Sequence, residues 1–135
     1  MCSSDLMTAR IAAHCASRGP AWRTVEAPSH VADAIVAAAG GSVVVDCLTI
    51  WLSNLMLKEA DIDAELRTLE AAAGNFGGDL WLVSNEVGNG LVPETALGRE
   101  FRDASGRMNQ RLAALADTVT LVVAGLPLAL KKAAM

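Results

Sequence analysis

Lysine is scarce in this chain: Lys58, Lys131 and Lys132 are the whole complement, and none of them follows a glycine-rich loop. The pattern GxxxxGK[ST], whose backbone amides and lysine cradle nucleotide phosphates, does not occur in the 135 residues. Basic runs are missing too. Net charge is −4, and the eleven Lys and Arg residues form no continuous stretch, which argues against a broad nucleic-acid footprint. Trp22, Trp51 and Trp81 therefore read as core or interface anchors and not as base-stacking platforms. No apolar run reaches the roughly 20 residues of a membrane span, since residues 34–45 and 119–130 are both broken by glycine. The opening residues lack the basic start and apolar stretch of a secretory signal, so a cytoplasmic location is expected. Cysteine is sparse. Cys2, Cys15 and Cys47 have no metal-ligand spacing and are odd in number, so reduced thiols are expected.

What is present is apolar and patterned. At 53% hydrophobic, 135 residues suffice for one domain with a real core and are too few for two. Ser29 is placed to cap a helix over 30–39 that Gly40-Gly41 ends, and residues 42–46 then read as a buried strand finishing in Asp46. Residues 48–57 look helical and almost wholly apolar, so they must be buried in the protein or against a partner subunit. Ile62, Leu66, Leu69 and Ala73 mark a further helix, stopped by Gly74. Residues 80–125 then combine a short apolar strand (80–83), a polar loop, a long helix and a second apolar run (119–124). That is a βαβ unit whose strands read as covered on both faces. At about 100° per residue, Leu97, Phe101, Ala104, Met108, Leu112 and Leu115 share one side of its helix, opposite Arg99, Asp103, Arg107, Gln110 and Arg111. No repeat, low-complexity tract or linker divides the chain. The order of elements predicts a mainly parallel sheet with flanking helices and right-handed crossovers.

Three places carry candidate chemistry. The loop from Ser84 through Asn85, Glu86 and Gly88 to Gly90 follows the carboxyl end of a buried strand, where open α/β sheets bind ligands. Asn85 and Glu86 are thus candidates for a nucleotide-type site; the alternative is a turn whose side chains satisfy nearby backbone groups. Gly88-Asn89-Gly90 lacks the spacing of a dinucleotide fingerprint. Asp46 ends its strand as a magnesium-organising carboxylate does, and also as a simple helix cap does. Successive parallel strands would deliver Asp46 and Glu86 to the same sheet edge. His14 closes a short amphipathic helical segment with Arg10 four residues earlier on the same face. A neutral imidazole can attack phosphorus while Arg10, Arg18 or Arg23 neutralises developing charge; the alternative is a surface histidine. His30 has no such constellation around it.

Taken together, several segments resemble the adenosylcobinamide kinase / adenosylcobinamide-phosphate guanylyltransferase family. They are Arg10-Ile11-x-x-His14, Trp22-Arg23-Thr24-x-Glu26-x-Pro28, Val45-Asp46-Cys47-Leu48-Thr49 and Ser84-Asn85-Glu86-Val87-Gly88, followed by Val92-Pro93, Arg99-x-Phe101-Arg102-Asp103, Gly106-Arg107-x-Asn109-Gln110-Arg111-Leu112-Ala113 and Ala124-Gly125-Leu126-Pro127. The resemblance covers nearly the whole chain after about Met7. It implies a RecA-like P-loop nucleoside triphosphate hydrolase fold, a homotrimer and two reactions of cobalamin biosynthesis. ATP or GTP phosphorylates adenosylcobinamide; GTP then guanylylates a histidine, and the GMP passes to the new phosphate to give adenosylcobinamide-GDP. By position, the resemblance implies that His14 is the guanylylated residue and that Cys15, Ala16, Ser17 and Arg18 follow the nucleotide. Glu26 and Asp46 fall on the nucleotide or Mg2+ side, with Asp46 as the metal-side carboxylate.

Two positions depart from the family pattern. Leu6 stands where the family tends to be acidic, and Cys15 where it tends to be basic, which lowers local positive charge for a triphosphate. The family's opening strand, P-loop of the type GGARSGKS and helix need roughly 30 residues that have no counterpart here. An amino-terminally truncated member, lacking the first strand and P-loop and inactive as a kinase on its own, is therefore expected. The alternatives are a non-catalytic oligomerising subunit and a generic RecA-like nucleotide-binding module, which would not need His14.

Overall fold

The computed structural model describes residues 3–135; Cys2 lies outside them. In chain order the elements are α1 (Ser3–Ser17), α2 (Val31–Ala38), β1 (Ser42–Asp46), α3 (Leu48–Leu57), α4 (Ile62–Gly74), β2 (Asp79–Val83), α5 (Ala96–Leu115), β3 (Val119–Val123) and β4 (Leu126–Lys131). No helix among the described residues is long and apolar enough to cross a membrane.

The core is made by helices. Leu48, Trp51, Leu52 and Leu55 recur at three- and four-residue spacing, so α3 buries one side and leaves Ile50 and Leu57 exposed. Leu66, Leu69 and Ala72 of α4, Ala104, Met108 and Leu112 of α5, and Val31 and Ile35 of α2 complete the cluster. Each fully buried leucine contributes about 1.5–3 kcal/mol relative to exposure. The expected apolar stripe of α5 is therefore present at its middle. Its ends differ, because a 20-residue helix outruns this core and leaves Leu97 and Leu115 exposed.

Helix starts follow side-chain chemistry in two cases and packing in a third. Asp61 caps α4 by accepting from the Ala64 amide, and Thr95 caps α5 by accepting from the Gly98 amide. Ser29 does not cap α2, contrary to expectation; His30 holds that position without a side-chain cap bond. Ser29 is buried instead. Its carbonyl accepts from Trp51 Nε1 and its hydroxyl from Lys58 Nζ, while the Pro28 carbonyl accepts from Asn54 Nδ2, which fastens the 28–30 segment to α3.

β1 and β2 pair in parallel, with Ser42 opposite Asp79 and Asp46 opposite Val83. Their amino ends meet closely: the Asp79 amide donates to the Gly41 carbonyl at 2.8 Å, and a Cβ on Gly78 would lie 2.1 Å from that same oxygen. Only glycine fits at position 78 without moving the backbone. The expectations that β1 is buried and that β2 is covered on both faces are not met. Exposed and half-buried residues alternate along both, and Val44, Trp81 and Val83 face outward because the helices pack against the other side.

The 119–124 run also differs from expectation. β3 does not join β2 in one parallel sheet; it turns back and pairs antiparallel with β4, as a separate two-stranded sheet. Ala124 and Gly125 have φ of 52° and 75°, so a two-residue turn with both central residues left-handed reverses the chain between Val123 and Leu126. Ala-Gly is a weak signal for that turn compared with Asn-Gly, so the run reads as one continuous strand. Lys131 at the end of β4 donates to the Ala113 and Ala114 carbonyls, closing the carboxyl end of α5.

Candidate active site

Parallel pairing delivers the ends of β1 and β2 to one edge, so Asp46 and the 84–90 loop leave the sheet side by side, as expected. The loop is tied down from three directions. The Thr49 hydroxyl, in the first turn of α3, accepts the Asn85 amide at 2.9 Å. Asn109 of α5 reaches both Ser84 and the Asn85 carbonyl. Arg102, seven residues earlier and so on the same face of α5, donates to the Gly88 carbonyl, while Arg99 donates to the Pro93 and Glu94 carbonyls. Thr49, Arg99, Arg102 and Asn109 received no role from sequence reasoning. The one available signal was the seven-residue spacing of Arg102 and Asn109, which places two polar side chains on the flank of the buried stripe.

Glu86 behaves as a turn residue: its Oε1 accepts the Gly88 amide at 2.9 Å. Asn85 contributes its backbone to the loop ties. Both follow the carboxyl edge of the sheet, and both are exposed.

His14 arrives from a different part of the chain. It lies in the last turn of α1, whose end is closed by Ser17 Oγ donating to the His14 carbonyl at 2.7 Å and by the Arg18 amide donating to Cys15. Arg18 Nη1 then donates to Thr24 Oγ1 at 3.1 Å, which folds residues 18–24 into a loop. His14 Nε2 stands 3.5 Å from Asp46 Oδ2, with the two side chains 60% and 44% exposed. The tertiary structure thus unites the two residues that sequence reasoning singled out separately. Cys15 is half-buried beside them, and Ala16 and Glu26 are exposed. Glu26 lies in the irregular connection between α1 and α2, without a hydrogen bond or ion pair to His14 or Asp46 among the described residues.

The surface around His14 and Asp46 is open. A 360 Å³ cavity lies at the other end of the sheet, lined by Ala39, Gly40, Ala72, Phe76 and Gly77, and a 280 Å³ one lies between α3 and the start of α5. Neither includes His14 or Asp46. The residues at hand do not make a magnesium site by themselves. Among the described residues no three carboxylate, histidine or cysteine side chains converge; Asp46 faces an imidazole, and the Glu86 carboxylate is turned to the Gly88 amide. What the pair can do is present a nucleophilic nitrogen whose ring is held by a carboxylate.

The family described as cobinamide kinase / cobinamide phosphate guanyltransferase matches residues 3–130. The chain is similar to the bifunctional adenosylcobalamin biosynthesis protein CobP of Pseudomonas aeruginosa, 43% identical over 129 residues, covering 93% of this chain and 75% of that protein. It is also similar to the bifunctional adenosylcobalamin biosynthesis proteins CobU of Salmonella typhimurium and Escherichia coli, each 40% identical over 144 residues and covering 94% of this chain and 80% of theirs. With a match over almost its whole length and relatives at this identity, the chain belongs to the cobinamide kinase / cobinamide phosphate guanyltransferase family of enzymes.

Proposed function

We propose that this protein serves in cobalamin biosynthesis by the two reactions of its family. ATP or GTP phosphorylates adenosylcobinamide; GMP from GTP then passes through His14 to the new phosphate, giving adenosylcobinamide-GDP. The observation that supports this most is the meeting of His14 with Asp46 at 3.5 Å, at the sheet edge that also carries Asn85 and Glu86. In this reading residues 15–18 follow the nucleotide, with Glu26, Asn85 and Glu86 on its polar side and Asp46 at the imidazole of His14. No step is assigned to Mg2+, because the Asp46 carboxylate faces an imidazole and the Glu86 carboxylate accepts the Gly88 amide. Incubation of a form that carries a phosphate-binding loop with GTP labelled at the α-phosphate tests the acceptor. A histidine adduct is acid-labile and base-stable, and His14→Ala should abolish it. Label persisting in that variant would move the nucleophile elsewhere.

Phosphoryl transfer to adenosylcobinamide depends on holding and neutralising the triphosphate. The 135 residues contain no GxxxxGK[ST] for that purpose. Kinase activity is therefore proposed for a form of the protein that carries such a loop within a RecA-like fold, and none above background for these residues alone. Robust phosphorylation by the 135 residues would overturn this part. A cytoplasmic homotrimer completes the proposal, with the exposed Ile50 and Leu57 of α3 available to a neighbouring subunit. Sedimentation equilibrium returning a monomer would remove the trimer.

A further inference from the structure

We propose that Asp46 is a positioning residue that selects the reacting nitrogen of His14: it holds the Nε2–H side of the ring, so that Nδ1 attacks the α-phosphorus of GTP. The inference rests on His14 being the guanylyl acceptor, and it adds which atom carries the GMP. Asp46 Oδ2 faces Nε2 of the ring at 3.5 Å, while Nδ1 has no hydrogen bond or ion pair among the described residues. An ionised carboxylate only accepts, so the nitrogen turned to it is the one that bears hydrogen. In a neutral imidazole the other nitrogen then holds the lone pair.

The two partners differ in how they are held, and this gives the arrangement its direction. Asp46 is the last residue of β1, registered against Val83, and α3 begins two residues later with Leu48 at the centre of the core. His14 sits on an exposed helix end. The carboxylate is thus the fixed reference, and the imidazole orients to it. The step balances without any redox partner. The Nδ1 lone pair forms the P–N bond as the bond from the α-phosphorus to the bridging oxygen breaks, and pyrophosphate leaves with that electron pair. The ring becomes cationic, and its Nε2–H now faces a carboxylate, which stabilises the charge as it develops. In the second half-reaction the acceptor phosphate attacks phosphorus and the P–N pair returns to Nδ1. The proton stays on Nε2 throughout.

Three measurements decide this. In protein carrying histidine with 15N at Nδ1 only, the 31P resonance of the guanylylated protein should split by one-bond coupling; with 15N at Nε2 only, it should not. One-bond splitting from the Nε2 label would overturn the proposal. The second measurement needs no turnover: long-range 1H–15N spectra of the unreacted protein report the tautomer of each neutral ring. His30 is the internal contrast, since its Nδ1 is the nitrogen facing a carboxylate, Asp33, at 3.9 Å. His14 should be a single Nε2–H species that becomes a mixture in Asp46→Ala, with Asp46→Glu restoring it. A His14 spectrum unchanged by Asp46→Ala would overturn the proposal even if GMP were found on another residue, an outcome that would separately end the acceptor assignment. Where the adduct forms, Asp46→Asn, whose amide can turn an N–H toward Nε2 and impose the opposite tautomer, should slow single-turnover guanylylation about a hundredfold. The affinity for GTP should change little. Equal loss of rate and affinity would mark Asp46 as a nucleotide contact and not a positioning residue.

Discussion

The four-helix core and the α1 arm make opposite use of similar residues. In the core, Leu52, Leu69 and Met108 are completely buried, and apolar side chains from α2, α3, α4 and α5 interlock. On α1, Leu6, Met7 and Ile11 are each at least half exposed, yet this arm carries His14. The scaffold and the proposed nucleophile are thereby separated. The packed half carries Asp46 and the tied 84–90 loop, and the exposed half carries His14. Damage to one half should register as lost stability and damage to the other as lost chemistry.

The largest stability contrast should come from truncating each half at one apolar residue. Leu52→Ala or Met108→Ala should cost about 2–5 kcal/mol in urea denaturation, because a fully packed site cannot collapse around the missing atoms. Ile11→Ala should stay within about 0.5 kcal/mol. Comparable losses at Ile11 and Leu52 would mean that α1 is part of the cooperative core.

The next largest effect lies at the amino ends of β1 and β2, far from His14. Gly78→Ala should cost about 1–3 kcal/mol, since its Cβ would collide with the Gly41 carbonyl and the neighbouring backbone must shift. Thermal denaturation would show it, and the histidine adduct should still form in the folded fraction. A smaller cost is expected at the other end of the sheet. Asn109→Ala removes the ties to Ser84 and the Asn85 carbonyl, worth about 1 kcal/mol together. It should raise amide hydrogen exchange in the 84–90 loop selectively, and exchange rising equally across α5 would show that Asn109 supports the helix and not the loop.

The smallest effect is electrostatic and confined to the scaffold. Arg111 makes a two-pronged contact with Glu70 and a single one with Asp63, and the hydrogen bonds from Arg111 hold the Glu70 carboxyl below the usual carboxylate range. A group whose pKa is lowered by folding contributes stability that is present above the unfolded value, about 4.3. That contribution is lost as pH falls through the folded value. Glu70→Gln should flatten this acid limb of a stability–pH curve and leave the neutral-pH stability of α1 untouched. An unchanged acid limb would show that Glu70 and Arg111 are not coupled in solution.

Much of the scaffold was legible because its signals are local. The apolar run 48–57, the spacing of Leu66 and Leu69, and the strand ending at Asp46 need only periodicity and a terminating residue, and α3 and β1 have the expected bounds. The reversal at Ala124-Gly125 was not legible, because a left-handed alanine carries no residue-type signal. The outward faces of β1 and β2 were not legible either, since an apolar run does not disclose how many layers cover it. At the candidate site, His14 and Asp46 were each visible as candidates beside a plainer alternative, and Glu86 turns to the Gly88 amide as its own plainer alternative has it.

The sequence by itself determined which residue types are available to this protein: one histidine beside arginines, one carboxylate at a strand end, and apolar stripes at helical spacing. Those properties depend on the identity of neighbours within a turn or two. Only the tertiary structure decided that Asp46 meets His14 across 32 residues of chain and that Thr49, Arg102 and Asn109 hold the loop beside them. Such pairings are set by strand register and by which face each helix buries, and both arise from the packing of the whole core.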